Sequence, residues 1–313
     1  MSAVDDQYRP FAWAGLRLDV PEACRLFRID GRYPRGDVGL ADEAQPRVEL
    51  AWRLIKRRRF DPQRMLRHQL VRLLPRDQRA TAERHINPID SEHFAPLLHH
   101  RDAQKRLDRC VGFARGSDRV VEMIVHFIDA DRPDEALLRR AAATLRDQPP
   151  DQPQQWAFFG HRLTTPAGYL YDSATLNLGD MTIRLRHRDR RAHSLTIRLL
   201  YTARLALQRC GMPLWITAFH KQDKITGDNI YDLPGTVEGA RCDTIDTPLG
   251  PGLVCESHLR RPIRLFRWKL PRRQHHWMIH DTKHDRLLYI RLADDPERLE
   301  PTLETILNGL DWQ

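Results

Sequence analysis

The sequence contains no apolar run near the roughly 20 residues that a membrane-spanning helix needs, so no helical span is expected. Its opening, MSAVDDQYRP, carries two acids and lacks the basic-then-apolar layout of a secretory signal, which makes a cytoplasmic protein the expectation. Enzyme signatures are scarce as well. There is no glycine loop ending in Lys-Ser or Lys-Thr, no G-x-G-x-x-G, no G-x-S-x-G elbow and no H-E-x-x-H, so the common nucleotide, hydrolase and zinc-protease chemistries find no motif. Cysteine is sparse: Cys24, Cys110, Cys210, Cys242 and Cys255 are odd in number and never spaced C-x-x-C. That is no disulfide framework, and it fits a reducing compartment.

What is present describes a globular chain. At 313 residues it is long enough for two domains, and 41% hydrophobic with 30% charged residues excludes a disordered one. The 51 Lys+Arg against 42 Asp+Glu give a formal charge of +9, most of it arginine. Arginine forks suit phosphates and carboxylates, yet arginine usage also follows genome composition, so charge alone does not fix the partner.

The stretch Asp147-Gln-Pro-Pro-Asp-Gln-Pro-Gln-Gln155 has no apolar residue and three prolines, the composition of an extended linker. On either side the chain repeats itself. Trp13-Ala-Gly15-Leu16-Arg17-Leu18-Asp19-Val20-Pro21 and Trp156-Ala-Phe-Phe-Gly160-His161-Arg162-Leu163-Thr164-Thr165-Pro166 both read G-x-R-L-x-x-P behind a tryptophan. Gly36-Asp37-Val38 and Gly179-Asp180-Met181 then precede alternating strands, 48–54 and 195–199. Cys110–Val121 and Trp277–Leu288 read as hairpins with Asp118-Arg119 and Asp285-Arg286 at equal spacing. Each is followed by an acidic, proline-bearing helix start, at Asp131–Glu135 and Asp294–Glu297. Leu137, Leu138, Ala141 and Leu145 form one helical stripe, and Leu303, Ile306, Leu307 and Leu310 the other.

The sequence therefore predicts an α+β protein of two tandem, diverged copies of a mainly antiparallel sheet covered by helices. The domains are 1–147, with a helical insertion after Asp61-Pro62, and 156–313, with a loop-rich insertion at about 211–275. Residues 148–155 form the linker. The order of opening hairpin, further strands, closing hairpin and final helix resembles the PsbP-like α/β/α sandwich superfamily. That resemblance covers the first 40 or so and last 35 or so residues of each half. It implies mostly non-catalytic binding and assembly roles and carries over no functional residue.

Three groups of side chains are candidates for chemistry. Lys56, Arg57, Arg58 and Arg59, with Arg260, Arg261, Arg272 and Arg273, would make an anion or nucleic-acid patch; the same charges would also protect a solvated strand end. Cys242, Cys255, His258 and His276 offer zinc-type ligands in the second insertion, although the spacing matches no common zinc module and buried cysteines with surface histidines read equally well. Ser117 falls in a hairpin turn whose counterpart, 283–285, has no serine, so a nucleophile is not expected there. The two Asp-Arg pairs read as turn and strand-start residues, and Trp52, Trp277 and Trp312 as core. The leading expectation is a binding or scaffold protein with no cofactor that engages another protein. A nucleic-acid-associated protein and a metal-dependent enzyme are the alternatives.

Overall fold

A computed structural model describes residues 7–312, apart from 56–63, 65–66, 69–70, 72–85, 115, 129–132, 178, 191, 209–210, 223–241 and 259–272. The chain divides into two compact units, Met1–Ala167 with Ile306–Gln313, and Gly168–Thr305. The first holds ten strands before its Pro/Gln stretch: β1 (Tyr8–Trp13), β2 (Leu16–Pro21), β3 (Arg25–Arg32), β4 (Arg35–Ala41), β5 (Pro46–Leu54), β6 (Asn87–Ile89), β7 (Phe94–Asp102), β8 (Leu107–Ala114), β9 (Arg119–His126) and, after helix α1 (Glu135–Thr144), β10 (Arg146–Asp147). Two more follow, β11 (Gln154–Phe158) and β12 (His161–Thr165). The second unit contains β13 (Tyr169–Asn177), β14 (Asp180–His187), β15 (Ser194–Tyr201), helices α2 (Ala203–Gln208) and α3 (Met212–Gln222), β16 (Cys242–Thr247), β17 (Gly250–His258), β18 (Arg273–Asp281) and β19 (Arg286–Ala293). A 3-10 turn (Pro296–Arg298), α4 (Leu299–Asn308) and β20 (Asp311–Trp312) close the chain.

The described residues form three antiparallel sheets. Their orders are β10-β2-β1-β11-β12-β20, β3-β4-β5-β9-β8-β7-β6 and β13-β14-β15-β19-β18-β17-β16. The two seven-stranded sheets thus follow one pattern. It extends to single bonds: Leu54 N–H donates to Pro34 O and Ile55 N–H to Asp118 O, while Tyr201 N–H donates to Gly179 O and Ala203 N–H to Asp285 O. These bonds set Gly179 opposite Pro34 in the comparison, two residues from the Gly36/Gly179 match read in the sequence. The two glycines occupy different places, Gly36 inside β4 and Gly179 just before β14.

The opening hairpins do not each join their own half's sheet, as the repeat suggested. They pair with one another, Ala12 opposite Ala157. Both turn through two left-handed residues, Ala14 (φ 53°) with Gly15 (φ 85°) and Phe159 (φ 48°) with Gly160 (φ 75°), the turn type whose twist matches paired strands. Trp13 and Trp156 bring the two motifs together edge to face, 5.3 Å between ring centres. The second glutamine-rich end of the Pro/Gln stretch is accordingly part of the sheet: Gln154 opens β11 and is buried. The step between compact units falls later, at Ala167–Gly168.

Cores follow the period-two alternation of the strands. Val38, Leu40, Val48, Leu50, Trp52, Val121, Met123 and Val125 bury one face of the first seven-stranded sheet, and Met181, Ile183, Leu185, Leu195, Ile197, Leu199, Leu288 and Ile290 bury one face of the second. The closing helices start as their acids and prolines suggested. Asp134 caps α1 by accepting from Leu137 N–H at 3.0 Å, and Asp295 with Pro296 opens the 3-10 turn ahead of α4. The second insertion was expected to be strand- and loop-rich. It begins with helix α3, which follows α2, and Ala203 of α2 and Ile216 of α3 pack against Leu253, Met278, Leu287 and Tyr289. In the first half Val71 packs in the same manner against Leu98, Val111 and Val120; the helix start at Asp61-Pro62 lies outside the described residues.

Candidate functional site

The alternation that buries Leu50 and Trp52 turns Glu49, Ala51 and Arg53 to the other face of the first seven-stranded sheet. The strand register lays them out in rows: Asp30–Asp37–Ala51–Glu122 and Arg28–Gly39–Glu49–Ile124–Arg109. This face forms an open groove in two adjoining parts of about 550 and 420 Å³, which share Asp30, Asp37, Ala51 and Glu122 as lining. Its charges are cross-linked. Arg28 bridges Asp37 (2.9 Å) and Glu49 (2.5 Å), His126 Nε2 meets Glu49 (2.7 Å), and Arg109 pairs with Glu122. Burial works to raise the Glu49 carboxyl, but the hydrogen bonds from His126 and Arg28 outweigh it and hold the group below the usual carboxylate range.

Phe27 rims this groove. A bulge between Leu26 and Arg28 turns it across β4, where its ring covers Gly39 so closely that a Cβ there would meet it at 2.6 Å. The ring stays 51% exposed, and the Arg28 guanidinium lies 5.8 Å from its centre.

The second unit handles the same face differently. Glu49 and Ile124 pair with one another, as do Thr196 and Arg291 in the second sheet. Thr196 and Arg291 are buried and joined by a 3.1 Å hydrogen bond. His276, level with Arg109, is also buried, between Ser257 Oγ (2.5 Å) and Tyr289 Oη (2.8 Å).

Among the described residues, His193, Asp294 and Asp295 are grouped closely enough to hold a metal ion. A guanidinium already sits there: Arg190 reaches Asp294 at 2.9 Å and Asp295 at 2.6 Å. Burial raises the Asp294 carboxyl, but bonds from His193 and Tyr169 and the Asp295 N–H overcome it and bring the group to about 2. Tyr169 is raised by burial and by its bond to Asp294. The first half has a counterpart, Arg47 between Asp42 (2.9 Å) and the α1 cap Asp134 (2.5 Å). Both clusters tie a strand turn to the start of the closing helix. Nothing in the sequence marked Arg47 or Arg190, since the partners lie 87 and 105 residues away.

Of the residues predicted from sequence, Cys242, Cys255 and His276 fall in one row across β16, β17 and β18. Cys242 and Cys255 face each other across β16 and β17 and form a disulfide. This corrects the expectation of unpaired cysteines: cross-strand register, invisible in the spacing, brings them together. As a disulfide neither sulfur is the thiolate zinc requires. His258 lies near Glu256 (3.8 Å) and His276 is held by Ser257 and Tyr289. Arg273 pairs with Glu256 at 3.4 Å; Lys56, Arg57, Arg58, Arg59, Arg260, Arg261 and Arg272 lie outside the described residues. Ser117 is buried and donates to Asp147. No helix among the described residues is long and apolar enough to cross a membrane.

No family model matches the chain, and no curated protein matches it. Among solved structures the chain is similar to cyanobacterial PsbP (CyanoP) from Synechocystis sp. PCC 6803, with 10% identity, coverage of 52% of this chain and 94% of that one, and a TM-score of 0.30. It is similar to immunity protein TplEi of T6SS from Pseudomonas aeruginosa complexed with "L" peptide, with 11% identity, 98% and 99% coverage and a TM-score of 0.33. A third is the Tle4-Tli4 complex, with 12% identity, 97% coverage of each chain and a TM-score of 0.30. The PsbP resemblance read from the sequence therefore recurs as a distant one, and no function passes to this chain through it.

Proposed function

We propose that this chain is a non-catalytic binding protein, built from two diverged copies of one sheet-and-helix unit, that engages a protein partner through the groove of its first seven-stranded sheet. The observation that carries the reading is the contrast between the two sheets. They share strand order and the bonds that join their third strands to the closing hairpins. Their second faces differ: Thr196, His276 and Arg291 are buried in one, while Asp30, Asp37, Ala51 and Glu122 line an open groove in the other. A frame held constant while one face is opened and charged suits recognition. Catalysis would call for a poised nucleophile or base, and Asp37, Glu49 and Glu122 are instead held by Arg28, His126 and Arg109. Fixed, mutually paired charges give selectivity and orientation toward a partner, and Phe27 supplies an apolar anchor. The Cys242–Cys255 disulfide supports a working place where disulfides persist.

The test is affinity capture from the source cells with the tagged chain, compared with Ala51→Arg, which fills the groove floor without entering the core. The reading expects a stoichiometric protein captured by the wild type and lost from the variant at unchanged melting temperature. Equal capture by both, or capture by neither, contradicts it.

A further inference from the structure

The six-stranded sheet carries a second feature that the groove does not use. Its register places Arg146, Arg17, Ala12, Ala157, Arg162 and Asp311 in one row across all six strands. Directly opposed residues project to the same face of a sheet. Between the arginines lies a hollow of about 290 Å³ lined by Pro10, Ala12, Ala157 and Thr164, with Arg17 and Arg162 as its walls. Alanine is what makes it hollow, since larger side chains at 12 and 157 would fill the space. The hydrogen bond from Arg17 Nη1 to the Gln155 Oε1 amide oxygen, at 2.9 Å, holds the guanidinium over this floor. That partner is neutral, so the positive charge is not compensated there. Asp311, level with Arg162, forms no ion pair with it among the described residues.

From this row we infer a docking site for an acidic, extended segment of a protein partner. The inference rests on the protein-binding reading above and names the chemistry of a second contact. Arg17 and Arg162 stand three strand spacings apart, about 14 Å at the Cα atoms. An extended peptide crossing the strands rises about 3.4 Å per residue, so acids four residues apart meet both forks. Arginine binds carboxylate with two parallel bonds, and Arg17 and Arg162 are both partly exposed above the buried alanines. The boundary of the face selects a peptide over a nucleic acid. Asp311, exposed beside Arg162, would oppose a continuous phosphate chain running past that end. The row also contains no aromatic ring on which a base would stack.

The experiment measures fluorescence anisotropy of a labelled peptide of alternating Glu and Ala with the full chain, alongside its Lys counterpart and a short single-stranded RNA. The Glu peptide is expected to bind, to weaken with salt, and to lose about tenfold or more in affinity on the double change Arg17→Glu and Arg162→Glu. Reversal of Arg32, on another sheet, leaves it unchanged. If the reversed chain does not fold, Arg17→Gln with Arg162→Gln is measured by the same criterion. Absence of binding to the wild type, equal binding by the variant, or tighter binding of the RNA overturns the inference. The two readings fail separately. A captured partner retained by the arginine variant removes this site alone, whereas no captured partner at all removes the protein-binding reading.

Discussion

Arg119 and Asp147 form an ion pair in which neither side chain is exposed to solvent. Arg119 Nε donates to Asp147 Oδ2 at 3.0 Å, its Nη1 donates to Ala14 O at 2.8 Å, and its guanidinium carbon lies over the Tyr33 ring, 4.4 Å from the ring centre. The pair joins the β8–β9 turn to the β1–β2 turn and to β10. Removing one member of a fully buried pair strands the other charge, so Arg119→Ala is expected to cost about 3–5 kcal/mol in urea unfolding. Arg286, at the same place in the second half, lies over Tyr201 and is partly exposed; Arg286→Ala is expected to cost about 1 kcal/mol or less. Equal losses would remove the asymmetry assigned to these two Asp-Arg motifs.

Gly15 sits under the same clamp. Its φ of 85° is left-handed, and a Cβ would come within 2.5 Å of Gln154 Oε1 and 3.0 Å of the Arg119 guanidinium. Gly15→Ala is therefore expected to lower the melting temperature, by a loss of about 1–3 kcal/mol. An unchanged melting curve would contradict the close packing of Gly15 against Gln154 and Arg119.

Asp294 gives a pH dependence with a definite sign. Its folded value, about 2, lies below its usual 3.8, so the folded state favours the ionised form. The contribution is complete above about pH 4 and fades as pH falls through about 2. From that difference it amounts to about 2 kcal/mol. Asp294→Asn should lower the urea midpoint at pH 7 and flatten its fall between pH 4 and pH 2. A variant with the wild-type slope would show that Asp294 is not the group responsible.

The disulfide closes a loop of sequence separation 13, for which chain-entropy arguments give about 3 kcal/mol. Peptide mapping without reductant should find the 242–255 link. Replacing both cysteines by serine should lower stability by up to that amount, and reductant should have no further effect on the double variant. A map with free thiols at both positions would contradict the pairing.

Much of this architecture was legible because it depends on local pattern. Alternation found the strands, and Asp134 and Asp295 with their prolines marked the closing helices. The matched Trp-Gly-Arg-Leu motifs located both opening hairpins. What escaped depends on register between distant strands. No local signal says that β1 pairs with β11, that Cys242 faces Cys255, or that Arg17 and Arg162 share a row. The groove was missed for the same reason. Glu49, Ala51 and Glu122 are ordinary outward residues of their strands until the sheet order sets them side by side. The zinc set rested on residue type without geometry, and cross-strand pairing of its two cysteines removed the thiolates it needed.

The groove reading is tested most directly by hydrogen–deuterium exchange of the chain with and without its captured partner. Slowed exchange is expected in β3, β4, β5 and β9, the strands that bear Phe27, Asp37, Ala51 and Glu122, with β14, β15 and β19 unchanged. Protection confined to the second seven-stranded sheet, or none in β3–β5, would contradict it.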